Sequence, residues 1–221
     1  MSAAATPALR QRRKETRPQE LLDAALDLFV EKGFAATRSE EVAQRAGVSK
    51  GTLYLYYPSK EELFKAVVRQ KISNLIQVGV EMADAWDGSA AALLRELMSV
   101  WWARVLNTPA AGIHKVVIAE VRNFPDLAQF YVDEVMIPAD ALFTQVLQRG
   151  IERGEFRSLP VREVAHALIA PMIFMALHRH SFGACPIHGV ELDAASALRT
   201  HLDLLLGGLL RQPDASAEKG R

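Results

Sequence analysis

The side chains that could do covalent chemistry are few in this 221-residue chain and badly spaced for it. The densest cluster is "HRHSFGACPIH" (178–188), with His178, His180, Cys185 and His188. These are metal-ligating types, but the spacing matches no tight ligand pattern, and Pro186 and Gly183 put the middle of the stretch in a loop. We therefore expect no metal and no cofactor. Cys185 is the one cysteine, so it cannot close an internal disulfide; a redox-sensing thiol is the other reading of it. No acid, base and nucleophile recur at spacings that would bring them together, so an enzyme is not expected. A different chemistry is concentrated between residues 39 and 60. Ser39, Lys50, Gly51, Thr52, Tyr54, Tyr56 and Lys60 supply cations, hydroxyls and phenols of the kind that hold phosphates and touch base edges.

Those side chains must be positioned by helices. Residues 18–32 begin at Pro18, a good first-turn residue, and stop at Gly33, with Leu21, Leu22, Ala25, Leu28 and Phe29 spaced by three and four. Thr37 and Glu40 have capping-box spacing ahead of a short helix over about 39–46, which ends at Gly47. A third helix spans about 49–56 and ends before Pro58. Ser59 and Glu62 form a second capping box and open a long helix that reaches about Ala85. Further helices follow at about 90–106, 110–123, 125–153, 160–181 and 191–211, and strand-like alternation is scarce. Pro138 and Pro171 are expected to kink or divide their helices. The fold class is all-α.

Two short helices joined at a glycine outline a helix-turn-helix. Val42, Ala43 and Ala46 can face inward from the first helix, Val48 can plug the turn, and Leu53 and Tyr57 can form the inner face of the second. On a wheel of about 100° per residue with Leu53 inward, Gly51 points outward at about 160°, between Thr52 and Tyr54 on the flanks. A glycine there lets the backbone approach another surface closely. Lys50 stands at the N-terminal end, where free amides already favour anions. Such a helix can enter the major groove by that end, with Tyr54, Tyr56 and Lys60 on flanking phosphates.

"LLDAALDLFVEKGFAATRSEEVAQRAGVSKGTLYLYYPSKEELF" (21–64) resembles the DNA-binding region of the TetR (tetracycline repressor) family almost without gaps. The likeness includes the Ala–Leu–Phe rhythm of the first helix, the Gly-Phe before the second, "AGVSKGTLY", and the Pro-Ser-Lys-Glu start of the fourth. It implies DNA contacts from Ser39, Lys50, Gly51, Thr52, Tyr54, Tyr56 and Lys60. Leu55 departs from the aromatic or polar residue common there, and Tyr57 from the usual phenylalanine. "IAEVRNFPDLAQFYVDEV" (118–135) resembles more loosely the C-terminal region of AefR-like members. That likeness implies an effector-binding and dimerisation domain, with control of drug efflux common among relatives.

For the effector pocket, Trp101, Trp102, Val105, Tyr131, Met172, Met175 and His178 are the candidates, as flexible methionines and aromatics with one polar handle suit an adaptable apolar site. Ordinary core packing is the alternative for each. The last helix carries Leu198, Leu202, Leu205, Leu206 and Leu209, more apolar surface than a terminal helix usually needs. With 160–181 it is the expected dimer interface, a four-helix bundle across a two-fold axis. Gly207 and Gly208 would allow close approach.

Charge divides the chain in the same way. The whole holds 26 Lys+Arg and 26 Asp+Glu; residues 1–70 hold 12 and 9, a net of +3, which leaves 14 and 17 behind them, a net of −3. The expected organisation is a basic disordered arm (1–17), a helix-turn-helix domain (18–64), a helical effector-binding and dimerisation domain (65–212) and a flexible tail (213–221). No secretory signal is visible, and apolar runs such as 167–177 are short for a bilayer span. The expected protein is a cytoplasmic homodimeric repressor that binds a palindromic operator in double-stranded DNA and is released by a small apolar or amphipathic effector. The rival reading is a helical small-molecule-binding protein that does not touch DNA.

Overall fold

A 26-residue helix, α1 (Pro7–Lys32), buries Leu21, Leu22, Ala25, Leu28 and Phe29 along one stripe. The computed structural model describes residues 7–120, 122–181, 183 and 193–210. The helix runs through Pro18 instead of starting there, so residues 7–17 are helical where a disordered arm was expected. A proline within a helix removes only its own N–H and crowds one carbonyl. The residues before it, "PALRQRRKETR", contain no glycine and are mostly strong helix formers.

Helix α2 (Ser39–Arg45) and α3 (Lys50–Tyr56) follow. The first capping box is displaced by one residue. The Thr37 hydroxyl lies 2.7 Å from the Gly33 carbonyl and 3.2 Å from that of Leu28, which ties it back to the end of α1. Arg38 takes the cap position, and its amide donates to Glu41 at 3.2 Å. The second cap forms as expected at one end, with Ser59 Oγ accepting the Glu62 amide at 3.1 Å.

Helix α4 comprises Lys60–Val68, a π-turn at Arg69–Ser73 and Asn74–Ala85. Helix α5 is Ala90–Trp101 with a π-turn at Trp102–Leu106; α6 is Gly112–Glu120, preceded by a 3-10 turn at Pro109–Ala111. Helix α7 comprises Pro125–Tyr131, a π-turn at Val132–Met136 and Ile137–Glu152. Pro138 thus divides the regular part of its helix: the wide turn directly before it absorbs the register change that a missing donor demands. Helix α8 (Val161–His180) is not divided at Pro171, and α9 (Ala194–Leu209) closes the described chain. Asp193 caps α9 by accepting the amides of Ala195 and Ser196 at 3.0 and 3.1 Å. Among the described residues there is no strand, only an isolated bridge between Phe156 and Leu210.

One core runs through both halves of the molecule. Phe29, Phe34 and Phe64 cluster with centroids 5.3–5.6 Å apart, Phe64 edge-on to both other rings, and Phe124, just ahead of α7, packs on Phe34 at 4.7 Å. The helix-turn-helix is therefore seated on the C-terminal helices. Helix α8 meets the length and composition needed to cross a bilayer, which its shorter apolar runs did not disclose. Only 28 % of its most apolar window is buried within the protomer.

Candidate nucleic-acid interface and effector cavity

The turn between α2 and α3 is built by hydrogen bonds that need a left-handed residue. Gly47 has φ +66°, its amide donates to Gln44 at 3.1 Å, and the Val48 amide donates to Ala43 at 2.9 Å. That pair is a Schellman motif, in which a glycine avoids the Cβ penalty. Ser49 then caps α3: its Oγ accepts the Thr52 amide at 3.1 Å and shares a 2.9 Å bond with the Thr52 hydroxyl. Leu53 is fully buried, which fixes the direction of the opposite face.

That face is open. Gly51 is exposed, and a Cβ placed on it would find nothing nearer than Ser49 Oγ at 3.8 Å. Leu55 is 84 % exposed and Tyr54 39 %. Lys50 is exposed, pairs with Glu40 of α2 and lies 5.7 Å from the centroid of the Tyr54 ring. The hydrogen bond from Lys50 holds the Glu40 carboxyl below its usual range. Lys50 thus reaches a phosphate only by exchanging Glu40 for it. Thr52 and Tyr56 are half-buried on the flanks, and Ser39 is buried at the first residue of α2. Tyr57, expected in the core, is half-buried, because α3 ends at Tyr56 and residue 57 turns extended at φ −132°.

Lys60 is engaged within the protomer. Its ammonium donates to the carbonyls of Phe34, Ala35 and Thr37 at 2.9, 3.2 and 3.1 Å and stands 4.5 Å from the Phe34 ring centroid. These bonds fasten the 34–37 loop to α4, and Lys60 reaches a phosphate only by exchanging carbonyls for it. Sequence could not show this, since the acceptors are backbone carbonyls of a loop some 25 residues away.

A cavity of about 640 Å³ lies between α4, α5, α6, α7 and α8. Of the residues expected to line it, Trp101, Val105, Tyr131 and Met172 do. Trp102 is half-buried outside it, Met175 is packed in the core one turn past Met172, and His178 stacks on Phe174 with centroids 6.1 Å apart. The cavity also takes in Ile72, Ile76 and Gly79 of α4, and here the glycine is structural: a Cβ would come within 2.8 Å of Leu142. The sequence reading missed His114, Asp140 and His166 as wall residues. A signal for His114 existed in "GIHKVVIAE", where His114, Val117 and Ile118 fall at i, i+3 and i+4.

His114 Nδ1 lies 2.7 Å from the Tyr131 hydroxyl. Burial, and then the proximity of His180, lowers the His114 pKa to about 4; burial pushes the Tyr131 phenol up. The pair is neutral at physiological pH.

The expected dimer residues also require correction. Leu198, Leu202 and Leu209 are buried within one protomer and Leu205 is half-buried, so they form the inner stripe of α9. The outer stripe is Thr200, Leu204, Gly207 and Gly208, with Leu204 74 % exposed and open space beside both glycines. On α8 the outer stripe is Glu163, Ala167 and Phe174. Cys185 and His188, on which the thiol and metal readings turned, lie outside the described residues, as does the 213–221 tail.

Residues 21–67 match the family described as bacterial regulatory proteins, tetR family, and residues 87–184 match the tetracyclin repressor-like C-terminal domain. The chain belongs to the TetR family. The TetR assignment covers both halves, with the helix-turn-helix in the first match and most of the cavity wall in the second. The transcriptional repressor KstR2 of Rhodococcus jostii (strain RHA1) is 28 % identical over 197 residues, 89 % of this chain and 92 % of that one. The fatty acid degradation regulator FadR of Bacillus halodurans has the same fold, with a TM-score of 0.71 at 19 % identity over 95 % of this chain and all of that one. FadR of Bacillus subtilis, solved in complex with stearoyl-CoA, superposes with a TM-score of 0.67 at 20 % identity over 86 % of this chain and 98 % of that one. TetR-family proteins of this kind are transcriptional regulators, some of them ligand-responsive.

Proposed function

We propose that this TetR-family regulator is a homodimeric repressor that an apolar or amphipathic small molecule releases from its operator. The observation that carries the reading is a single short helix that touches both ends of the mechanism. Helix α6 supplies His114 and Val117 to the cavity, and its last residue, Glu120, accepts the amide of Ala35 at 3.0 Å in the loop ahead of α2. At its other end, Gly112 packs so closely on Val30 of α1 that a Cβ would come within 2.5 Å of it. A ligand that moves α6 in the cavity moves the seat of the helix-turn-helix.

In the dimer, two copies of α3 meet successive major grooves about 34–36 Å apart. Gly51, Thr52, Tyr54 and Leu55 face the bases, and Lys50 and Tyr56 face phosphates. Effector that binds better to a conformation with the wrong spacing weakens DNA binding by its differential affinity for the two states and by no more than that. No covalent step enters the mechanism, and a bacterial regulator that works on DNA does so in the cytoplasm. One protein of this fold was solved with stearoyl-CoA, and the long acyl chain of that ligand supports an apolar cavity guest.

Footprinting the purified protein on DNA upstream of its own gene tests the reading. A protected two-fold-symmetric site, lost on adding an apolar ligand that fills the cavity, is expected. Tight ligand binding with no protected site anywhere upstream would leave a binding protein that does not regulate through DNA.

A further inference from the structure

The polar groups in the cavity wall are few, and their hydrogen bonds are incompletely used. Tyr131 and His114 are both buried, and between Oη and Nδ1 they share one 2.7 Å bond. Two arrangements of the protons are possible. If the phenol donates to Nδ1, the imidazole keeps a spare Nε2–H. If Nδ1–H donates to the phenol oxygen, the phenol keeps a spare O–H and Nε2 a spare lone pair. Either way the pair retains one donor, and Nε2 is buried with no partner among the described residues. A buried donor left unpaired is costly, and a ligand oxygen brought against the pair satisfies it. Further along α7 from Tyr131, Asp140 also lines the cavity, and its Oδ1 is buried without a partner among the described residues.

Charge decides what head group fits. Among the described residues no lysine or arginine lines the cavity. A carboxylate or phosphate drawn inside would lose its water, meet no lysine or arginine and face an acidic side chain in the wall, while His166 sits at the exposed edge with its Nδ1 bonded to the Arg162 carbonyl, a combination that disfavours burial of an anion. A hydroxyl or carbonyl needs only the spare donor. We propose that the effector is an uncharged amphiphile, an apolar body whose hydroxyl or carbonyl oxygen accepts a hydrogen bond from the His114–Tyr131 pair. The proposal rests on the reading of this cavity as the effector site and narrows it. A second hydroxyl on the same ligand would donate to Asp140.

Three probes of equal chain length separate the possibilities: 1-dodecanol, 2-dodecanone and dodecanoate, each titrated by equilibrium dialysis into the full-length protein at neutral pH, with melting temperature as a second readout. The alcohol and the ketone are expected to bind at least about tenfold more tightly than the carboxylate, a difference of about 1.4 kcal/mol or more. The double variant His114→Leu/Tyr131→Phe removes every donor of the pair and is expected to lose about tenfold in dodecanol affinity. Should that variant not fold, the ranking of the three probes on the unaltered protein decides alone. Dodecanoate binding as tightly as dodecanol overturns the proposal and leaves the cavity as an apolar ligand site. Failure of all three to bind overturns the reading of the cavity as well.

Discussion

Glu120 Oε1 accepts the backbone amide of Ala35 at 3.0 Å, across 85 residues of sequence. The same oxygen would lie 3.2 Å from a Cβ placed on Gly33, whose φ is +86°, so that glycine serves both the turn and the approach. Glu120→Ala is expected to leave the ligand-free protein folded and to raise hydrogen exchange at the Ala35 amide, because the acceptor is gone. It should also blunt the ligand-driven fall in operator affinity. If exchange rises and ligand release stays at its full extent, α6 is not the coupling element, and attention passes to the bidentate Arg69–Glu134 pair, 2.8 and 2.6 Å, that joins the π-turns of α4 and α7.

Gly51 separates docking from folding. With open space on its outer side, Gly51→Leu is expected to keep the melting temperature and abolish operator binding. Gly51→Ala should raise stability by up to about 1 kcal/mol, the usual helix-propensity difference. Normal operator affinity in the leucine variant would remove α3 as the reading helix.

For Lys60 the expected result is structural. Lys60→Ala strips the donor from three carbonyls and the cation from the Phe34 ring. A loss of roughly 1–3 kcal/mol in stability is expected, with the salt dependence of operator binding unchanged. An unchanged melting temperature together with a salt slope reduced by about one would restore Lys60 to the phosphate contacts.

The helix-turn-helix was legible in the sequence because its determinants are local. Gly47 and Leu53 act on neighbours within a few residues, and each does in the structure what its position implied. Where long-range partners decide, the sequence was silent. Lys60 has phosphate chemistry but finds the carbonyls of a distant loop; Leu202 has interface character but faces its own protomer. Trp101 and Trp102 look alike as residues, and only the packing of α5 decides which enters the cavity. His114 lay on an apolar stripe, where a satisfied core histidine is the common outcome, and its unused nitrogen emerges only once Tyr131 is seen beside it.

His114 also sets a pH dependence. Its folded pKa, about 4, lies below the ordinary 6.5, so between those values the unfolded chain binds the proton that the folded chain refuses. The sign follows: stability is complete above about pH 6.5, falls as the pH drops toward 4, and levels off below it, for a total on the order of 3 kcal/mol. Urea unfolding of the native protein and of His114→Leu across this range is expected to give a flatter profile for the variant. Equal slopes for the two would mean that His114 is solvated and not held neutral by burial.

The outer stripes of α8 and α9 decide the assembly. Phe174 is 58 % exposed and Leu204 74 % exposed in the single protomer. Replacing both with glutamate costs the protomer core nothing, yet puts two charges on each side of a two-fold interface, where each would be buried against apolar surface. The variant is expected to sediment as a folded monomer, and its operator affinity should fall toward the non-specific level, since one α3 reads one half-site. Leu202→Ala makes the contrast: at 7 % exposure it should cost roughly 2–5 kcal/mol of stability and still leave a dimer at concentrations where it folds. A Phe174→Glu/Leu204→Glu protein that stays dimeric would place the interface on another face. A monomer that keeps full operator affinity would sink the two-helix spacing mechanism, and with it the route by which a ligand in the cavity releases DNA.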